Sequence, residues 1–203
     1  MHKLVLLLAG MLLASRIGVA QGGAPVTNIR AYQLLSARIG DSLNARIAEK
    51  DSARVLLSVK PEGSAWLVEG GIAHAFQKQG RTVVVTMPAD YQADLGVLDM
   101  RVVYGNARSE GLFTGKVVDR EVVLNMSAKI VDQRSGVVTL SKEFQERMVD
   151  TVKVSEIPML EDPNVPITQG TPPGEGFFSS FAEPLIMLGA VAVAVYLLFT
   201  VRS

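Results

Sequence analysis

The chain has 203 residues, 20 Lys and Arg against 20 Asp and Glu, two His and no Cys, with a mean hydropathy of +0.28. Zero net charge supplies no basic field for nucleic acid and no polybasic tract for anionic lipid, which excludes nucleic acid as a partner class. The missing cysteines exclude disulfides, thiolate zinc, iron–sulfur clusters, a cysteine nucleophile and a cysteine-linked lipid anchor.

Residues 1–20 read as a signal peptide. Lys3 supplies the basic end, an apolar core runs from Leu4 to Ala14, and Gly18-Val19-Ala20 puts small residues where signal peptidase reads them. That core is too short to cross a hydrocarbon layer of ~30 Å. Arg16, between core and cleavage site, departs from the pattern, and an uncleaved anchor or a buried helix is the alternative. Without residues 1–20 the chain holds 18 basic and 20 acidic side chains, net −2.

Residues 21–155 read as one α/β domain, exported to the periplasm. Thr27 is placed to cap a helix on which Ile29, Tyr32, Leu35, Ile39, Leu43 and Ile47 recur at threes and fours. Residues 53–59 form a short apolar strand, and 60–64 a turn with Ser64 able to cap. Residues 65–80 form a second helix, with Val68, Ile72, Ala75 and Phe76 on one side and Gly80 as its stop. Gly70-Gly71 weakens that helix by about 1 kcal/mol per glycine. Residues 81–87 are a second strand, and strand–helix–strand over this length predicts a right-handed parallel unit.

The following strands read as antiparallel. In 98–108, Leu98, Met100, Val102 and Tyr104 alternate with Asp99, Arg101 and Val103. In 120–132, Val122, Leu124, Met126, Ala128 and Ile130 point one way, and Asn125, Ser127 and Lys129 the other. A polar turn ending at Gly136 returns the chain through Val138 and Leu140, giving a hairpin with one wet face. Past Phe144, the set Phe144, Met148 and Val152 also fits helical spacing. The expected fold is α+β, a small mixed sheet with two helices and a long antiparallel hairpin, plus a C-terminal transmembrane helix. No internal repeat is visible.

Residues 156–183 are rich in Pro and Gly and read as an extended linker with no core of its own, reaching ~60 Å if polyproline-like. Residues 184–201 read as a transmembrane helix, since Leu185 to Val201 contains no charged residue and Pro184 suits its first turn. Arg202 and Ser203 form the tail, and Arg202 opposite Glu175 and Glu183 places it in the cytoplasm. A signal peptide imposes the same orientation. A buried core helix and a removable C-terminal anchor signal are the rivals; Ala190 and Ala194 form a small-xxx-small pair that permits helix pairing.

Chemistry-bearing motifs are few. His74 is the one histidine outside 1–20, beside Gln77 and Lys78 and without a nucleophile-elbow sequence, so it reads as a solvated surface side chain. The glycines at 69–71 and 104–111 lack phosphate-loop or dinucleotide spacing. Glu161, Asp162 and Asp150 read as solvated acids, and Asn125-Met126-Ser127 matches a glycosylation sequon inside a strand. We therefore name no catalytic, cofactor-binding or metal-ligating residue, and no cofactor.

The order helix, strand, helix, strand, hairpin, with Asp132-x-x-Ser135-Gly136 at its turn, resembles the periplasmic α/β domain of envelope-assembly factors. That group includes the curli secretion channel, activators of penicillin-binding proteins, flagellar accessory proteins and the amino-terminal domain of the Tol-associated protein. The resemblance spans roughly Ile29 to Phe144 and is densest in 123–144. Many members carry a lipid-anchoring cysteine that this chain lacks. What the resemblance implies is a non-catalytic, protein-binding envelope module, not a specific activity.

The expectation is thus a bacterial inner-membrane protein, single-pass, its domain in the periplasm. It would bind envelope or membrane proteins as an assembly, scaffold or secretion accessory, possible homo-oligomerisation included. If a strand edge is exposed, backbone hydrogen bonds to a partner strand would supply the binding. Two other classes stay open. An anchored hydrolase or sugar-binding enzyme predicts two carboxylates in a cleft, and a ligand-binding or sensor domain predicts an apolar pocket of at least ~300 Å³.

Overall fold

The computed structural model describes residues 25–47, 52–109 and 115–171, together with Val191 and Val193. Within them the fold is α+β, three α-helices and a six-stranded mixed sheet. Helix α1 (Asn28–Asn44) starts as its sequence predicts, with the Thr27 hydroxyl accepting from the Arg30 amide. Its buried stripe is Ala31, Tyr32, Leu35, Ile39 and Leu43. Helix α2 (Glu62–Lys78) begins earlier than expected, with Pro61 at the cap and Ser64 inside the helix. A proline there supplies a fixed φ where no amide donor is needed. Gly80, at φ +76, ends it as predicted, with the Gly80 amide donating to the Gln77 carbonyl.

The two helices approach closely, and their glycines explain how. A Cβ on Gly71 would collide with Ser36 Oγ and the Gln33 carbonyl oxygen of α1. A Cβ on Gly40 would lie 2.7 Å from Ala75 Cβ. Gly70 faces open space, so only one of the paired glycines has a packing reason.

Strands β1 (Arg54–Lys60), β2 (Thr82–Val84) and β3 (Tyr91–Tyr104) form the parallel part, with β1 between the other two. Strand β2 is much shorter than the 81–87 expected. Strand β3 begins well before the predicted 98: Tyr91, Ala93 and Leu95 face inward, a bulge between Val97 and Asp99 resets the alternation, and Met100, Val102 and Tyr104 face inward beyond it. Leu98, expected inside, lies at that bulge and is 54% exposed.

Strand β5 (Lys116–Asp132) pairs antiparallel with β3, with the short β4 (Arg108–Ser109), and on its other side with β6 (Val138–Lys153). Its inward set of Val122, Leu124, Met126, Ala128 and Ile130 is buried, as the alternation predicts. The hairpin turn closes on Asp132, whose carboxylate accepts from the Arg134 and Ser135 amides, and on Gly136 at φ +69. Beyond Phe144 the chain is strand and not helix: Phe144 and Val152 are buried while Gln145, Arg147, Val149 and Thr151 are exposed.

The largest departure lies in the predicted linker. Residues 154–171 are not an extended tether but a strap packed on the domain. They form a 3₁₀ turn (Val154–Glu156), helix α3 (Ile157–Leu160) and a second 3₁₀ turn (Pro166–Thr168). Leu160 and Thr168 are buried, and Ile157, Val165 and Ile167 pack against the core. Apolar residues spaced among the prolines give the strap a surface to bury. Of the predicted span 184–201 only Val191 and Val193 are described, both helical and exposed; residues 1–20 and 172–183 also lie outside the described residues. Among the described residues no helix is long and apolar enough to cross a membrane.

Candidate functional site

The helices cover one face of the sheet, and the other face is open. Register fixes what that open face presents. One row runs Ser58, Asp94, Lys129, Ser141 across β1, β3, β5 and β6, and the next runs Lys60, Gly96, Ser127, Glu143. Gly96 lacks the side chain that would sit 2.6 Å from Ser127 Oγ, so the surface dips there. The result is a shallow groove of about 820 Å³ lined by polar side chains of both charge signs. Gln92 donates to Asp94 (2.8 Å) and accepts from Gln133 (3.2 Å) along its floor. It is not the apolar pocket a ligand-binding domain predicts. A second recess, about 450 Å³, lies between α1 and α2 and includes Arg30, Gln33, Leu34 and His74. His74 is exposed there, as expected of a surface histidine. Among the described residues no three His, Cys, Asp or Glu are grouped to hold a metal.

Strand β6 gives the groove an edge. It is 16 residues long, and among the described residues it pairs with β5 alone. Its outer row of amides and carbonyls is therefore a template for another strand. The side chains along it are mostly polar or charged: Ser141, Lys142, Glu143, Gln145, Glu146, Arg147, Asp150 and Lys153. Lys142 lies over the Phe144 ring, 4.2 Å from its centroid. Glu146 and Arg147 make only long ion pairs, at 3.9 Å, with Arg38 and Glu121. Such exposed pairs rearrange at little cost.

The end of the sheet nearest the strap is held by a buried polar cluster. Arg120, fully buried on β5, donates two hydrogen bonds to Asp150 on β6, Nε to Oδ1 at 2.8 Å and Nη2 to Oδ2 at 2.5 Å. Its Nη1 donates to the Val26 carbonyl and to Asn28 Oδ1, both at 2.8 Å. Asn28 Nδ2 donates in turn to the Thr168 carbonyl (2.7 Å) and the Tyr104 hydroxyl (3.2 Å). The Tyr32 hydroxyl donates to the Ile167 carbonyl at 3.1 Å. Burial pushes both tyrosine hydroxyls above their ordinary range, aided for Tyr32 by the nearby Asp99 and for Tyr104 by Glu161. Gly170 passes so close that a Cβ there would lie 2.5 Å from the Tyr104 ring. Val26 and the strap thus meet at one end of the domain, and the hairpin turn stands at the other. That far end carries exposed Val85, Met87, Val137 and Val138, with Asp90 tying the two loops through Arg134 and the Gln133 amide.

The sequence names no site residue, and the edge enters it only as a condition. Strand order is not written in hydrophobic alternation. Arg120 and Asp150 did leave a signal, since each shares the parity of an inward row, Arg120 with Val122 and Asp150 with Val152.

No protein-family model and no curated protein matches the chain. Among solved structures, lipoprotein GNA1162 from Neisseria meningitidis is similar at 14% identity and a TM-score of 0.32, over 48% of this chain and 84% of that one. Protein XCC0632 from Xanthomonas campestris is similar at 16% identity and 0.33, over 48% and 67%. A minor lipoprotein from Acinetobacter baumannii is similar at 13% identity and 0.31, over 50% and 69%. Likenesses this distant assign neither an activity nor a binding surface.

Proposed function

We propose that the chain is a non-catalytic protein-binding module of a bacterial cell envelope, exported and held at the inner membrane by its C-terminal apolar run. It engages other proteins by adding a strand to the outer edge of β6. The observation that carries this reading is that edge: a long strand paired on one side among the described residues, at the rim of a polar sheet face. The sequence at the two ends, a signal-peptide pattern and an uncharged apolar run, supports the compartment.

The test is site-specific photo-crosslinking of the full chain in its native membranes. A photoreactive residue replaces Gln145 or Val149 on the β6 edge, and His74 or Gln77 on the outer face of α2 as controls. All four positions are exposed. Defined protein adducts from the β6 positions and none from α2 are expected. Equal labelling from both faces, or none from β6, would sink the proposal.

A further inference from the structure

We infer that the strand taken up by the β6 edge is β6 of a second copy, the two running antiparallel about a two-fold axis at Phe144. This rests on the reading of β6 as a binding edge and names its occupant. The argument is one of charge and register.

A two-fold axis perpendicular to the sheet keeps every side chain on its own face, so a residue can meet only residues of its own face across the join. That leaves few centres. Centring on Glu146, Arg147 or Asp150 sets a charge against itself, and centring on Met148 sets Glu146 against Asp150. Centring on Val149 overlaps only the C-terminal half of the strand. Centring on Gln145 pairs Glu143 with Arg147 twice, but it sets Leu140 against Asp150 and Phe144 against Glu146.

Centring on Phe144 satisfies both faces over residues 139–149, and only at its limit sets Val138 against Asp150; the Gln145 centre has a comparable mismatch and adds Phe144 against Glu146 at its middle. On the helix side Lys142 meets Glu146 twice, Phe144 meets Phe144 and Leu140 meets Met148. On the open side Thr139 meets Val149, Ser141 meets Arg147 and Glu143 meets Gln145. No like charges meet. Lys142 and Glu143 have no ion-pair partner among the described residues, and the pairing supplies one for Lys142. Within one chain Lys142 and Glu146 are about 13 Å apart along the strand, so any coupling between them reports on the join between copies.

The chain contains no cysteine, so introduced thiols report without background. In full-length protein oxidised in native membranes, the T139C/V149C variant places thiols opposite one another across the Phe144-centred join. The S141C/V149C variant does so only for the Gln145 centre. In each chain the two positions are too far apart to bridge internally. We expect T139C/V149C to give a covalent dimer well in excess of S141C/V149C. In mild detergent, K142E and E146K should each weaken the dimer about tenfold by setting like charges opposite, and K142E/E146K should restore it.

A dimer trapped instead by S141C/V149C, or a double charge swap that fails to restore association, overturns the Phe144 pairing. A monomeric chain whose Gln145 still photo-crosslinks to a different protein overturns the self-pairing and leaves the binding edge standing. A monomer silent at β6 in both experiments, as when the chain's own remaining residues cover the edge, overturns both.

Discussion

Breaking the Arg120–Asp150 pair is a sharp test of how the domain is held, because the two partners are unequally buried. Arg120 is fully buried and Asp150 has 31% of its side chain exposed. Asp150→Asn keeps the shape but strands a guanidinium among neutral acceptors. Removing one partner of a buried pair costs about 3–5 kcal/mol. Water reaching the half-open Asp150 side puts this case at the lower end, about 3 kcal/mol. Arg120→Met removes the buried charge, and the Asp150 carboxylate turns to water. What it loses is the guanidinium's bonds to the Val26 carbonyl and Asn28, about 1 kcal/mol each. D150N should therefore be the worse variant. Urea unfolding of the full chain in mild detergent measures it: with a slope of about 2 kcal/mol per molar, the D150N midpoint falls by about 1.5 M and that of R120M by about 1 M or less. Asn28 links the cluster to the strap, so D150N should also speed proteolysis within 157–171. If R120M proves as damaging as D150N or more so, the buried charge is not what makes the cluster matter.

Gly70 and Gly71 should respond in opposite directions. G70A adds a methyl in open space and should stabilise by up to about 1 kcal/mol, whereas G71A forces α1 and α2 apart and should cost about 1–3 kcal/mol. S36A should not rescue G71A, because the Gln33 carbonyl still blocks the methyl; thermal melts decide both. Stability should fall at alkaline pH. The folded Tyr32 and Tyr104 hydroxyls are raised above the unfolded value of about 10, so their contribution is intact below that pH and lost as pH climbs above it. Y32F should flatten that slope while costing about 1 kcal/mol at neutral pH for its bond to Ile167, and a flat wild-type profile to pH 11 would refute the assignment. Deleting 157–171 from the full chain uncovers the Leu160 site, worth about 1.5–3 kcal/mol alone, and leaves Asn28 and Tyr32 without their carbonyls. A lowered urea midpoint is expected, and an unchanged one would mean the strap is not part of the domain.

Where one period dominated, the sequence was legible. The stripe of α1 and the alternation of Val122 to Ile130 translate directly into buried faces, and Gly80 and Gly136 mark a helix end and a turn because both sit at positive φ. Other elements escaped for identifiable reasons. Phe144, Met148 and Val152 recur every four residues, a spacing that suits period 2 and nearly suits period 3.6, so β6 could not be told from a helix beyond Phe144. The bulge in β3 breaks parity, which is how Leu98 came to be assigned inside. Residues 91–97 put Asp94 and Gly96 beside only a few large apolar residues, too weak a pattern to announce a strand. In the strap, the prolines dominated the composition while Ile157, Leu160, Val165 and Ile167 supplied the packing. The edge itself depends on strand order, which comes from β5 having partners on both sides and β6, among the described residues, on one.

The strap and the edge together constrain how such a protein would stand. If the C-terminal run is anchored as proposed, docking of 154–171 shortens the tether to the span 172–183, which can reach at most about 40 Å and not the ~60 Å expected of the longer linker. The strap leaves the domain at the Arg120 end, where Thr171 bridges to Val103 on the side of β3 away from β5 and β6. A two-fold join at Phe144 then puts the two tether origins about 33 Å apart along the strands and on opposite outer sides of the joined sheet, since each Thr171 bridges to Val103 of β3 at the level of Val149. If two C-terminal runs enter one membrane, tethers of equal length reach it equally when that axis stands along the membrane normal. The shared sheet then lies flat over the surface, with the helices on one side and the polar groove on the other. An upright domain, its hairpin turn pointing away from the lipid, suits a single copy or a different partner on β6 better than this pair. In an upright pair one tether would have to run nearly its full length along the domain, so the self-pairing favours the flat posture, and the cysteine pairs that report the join bear on the posture too.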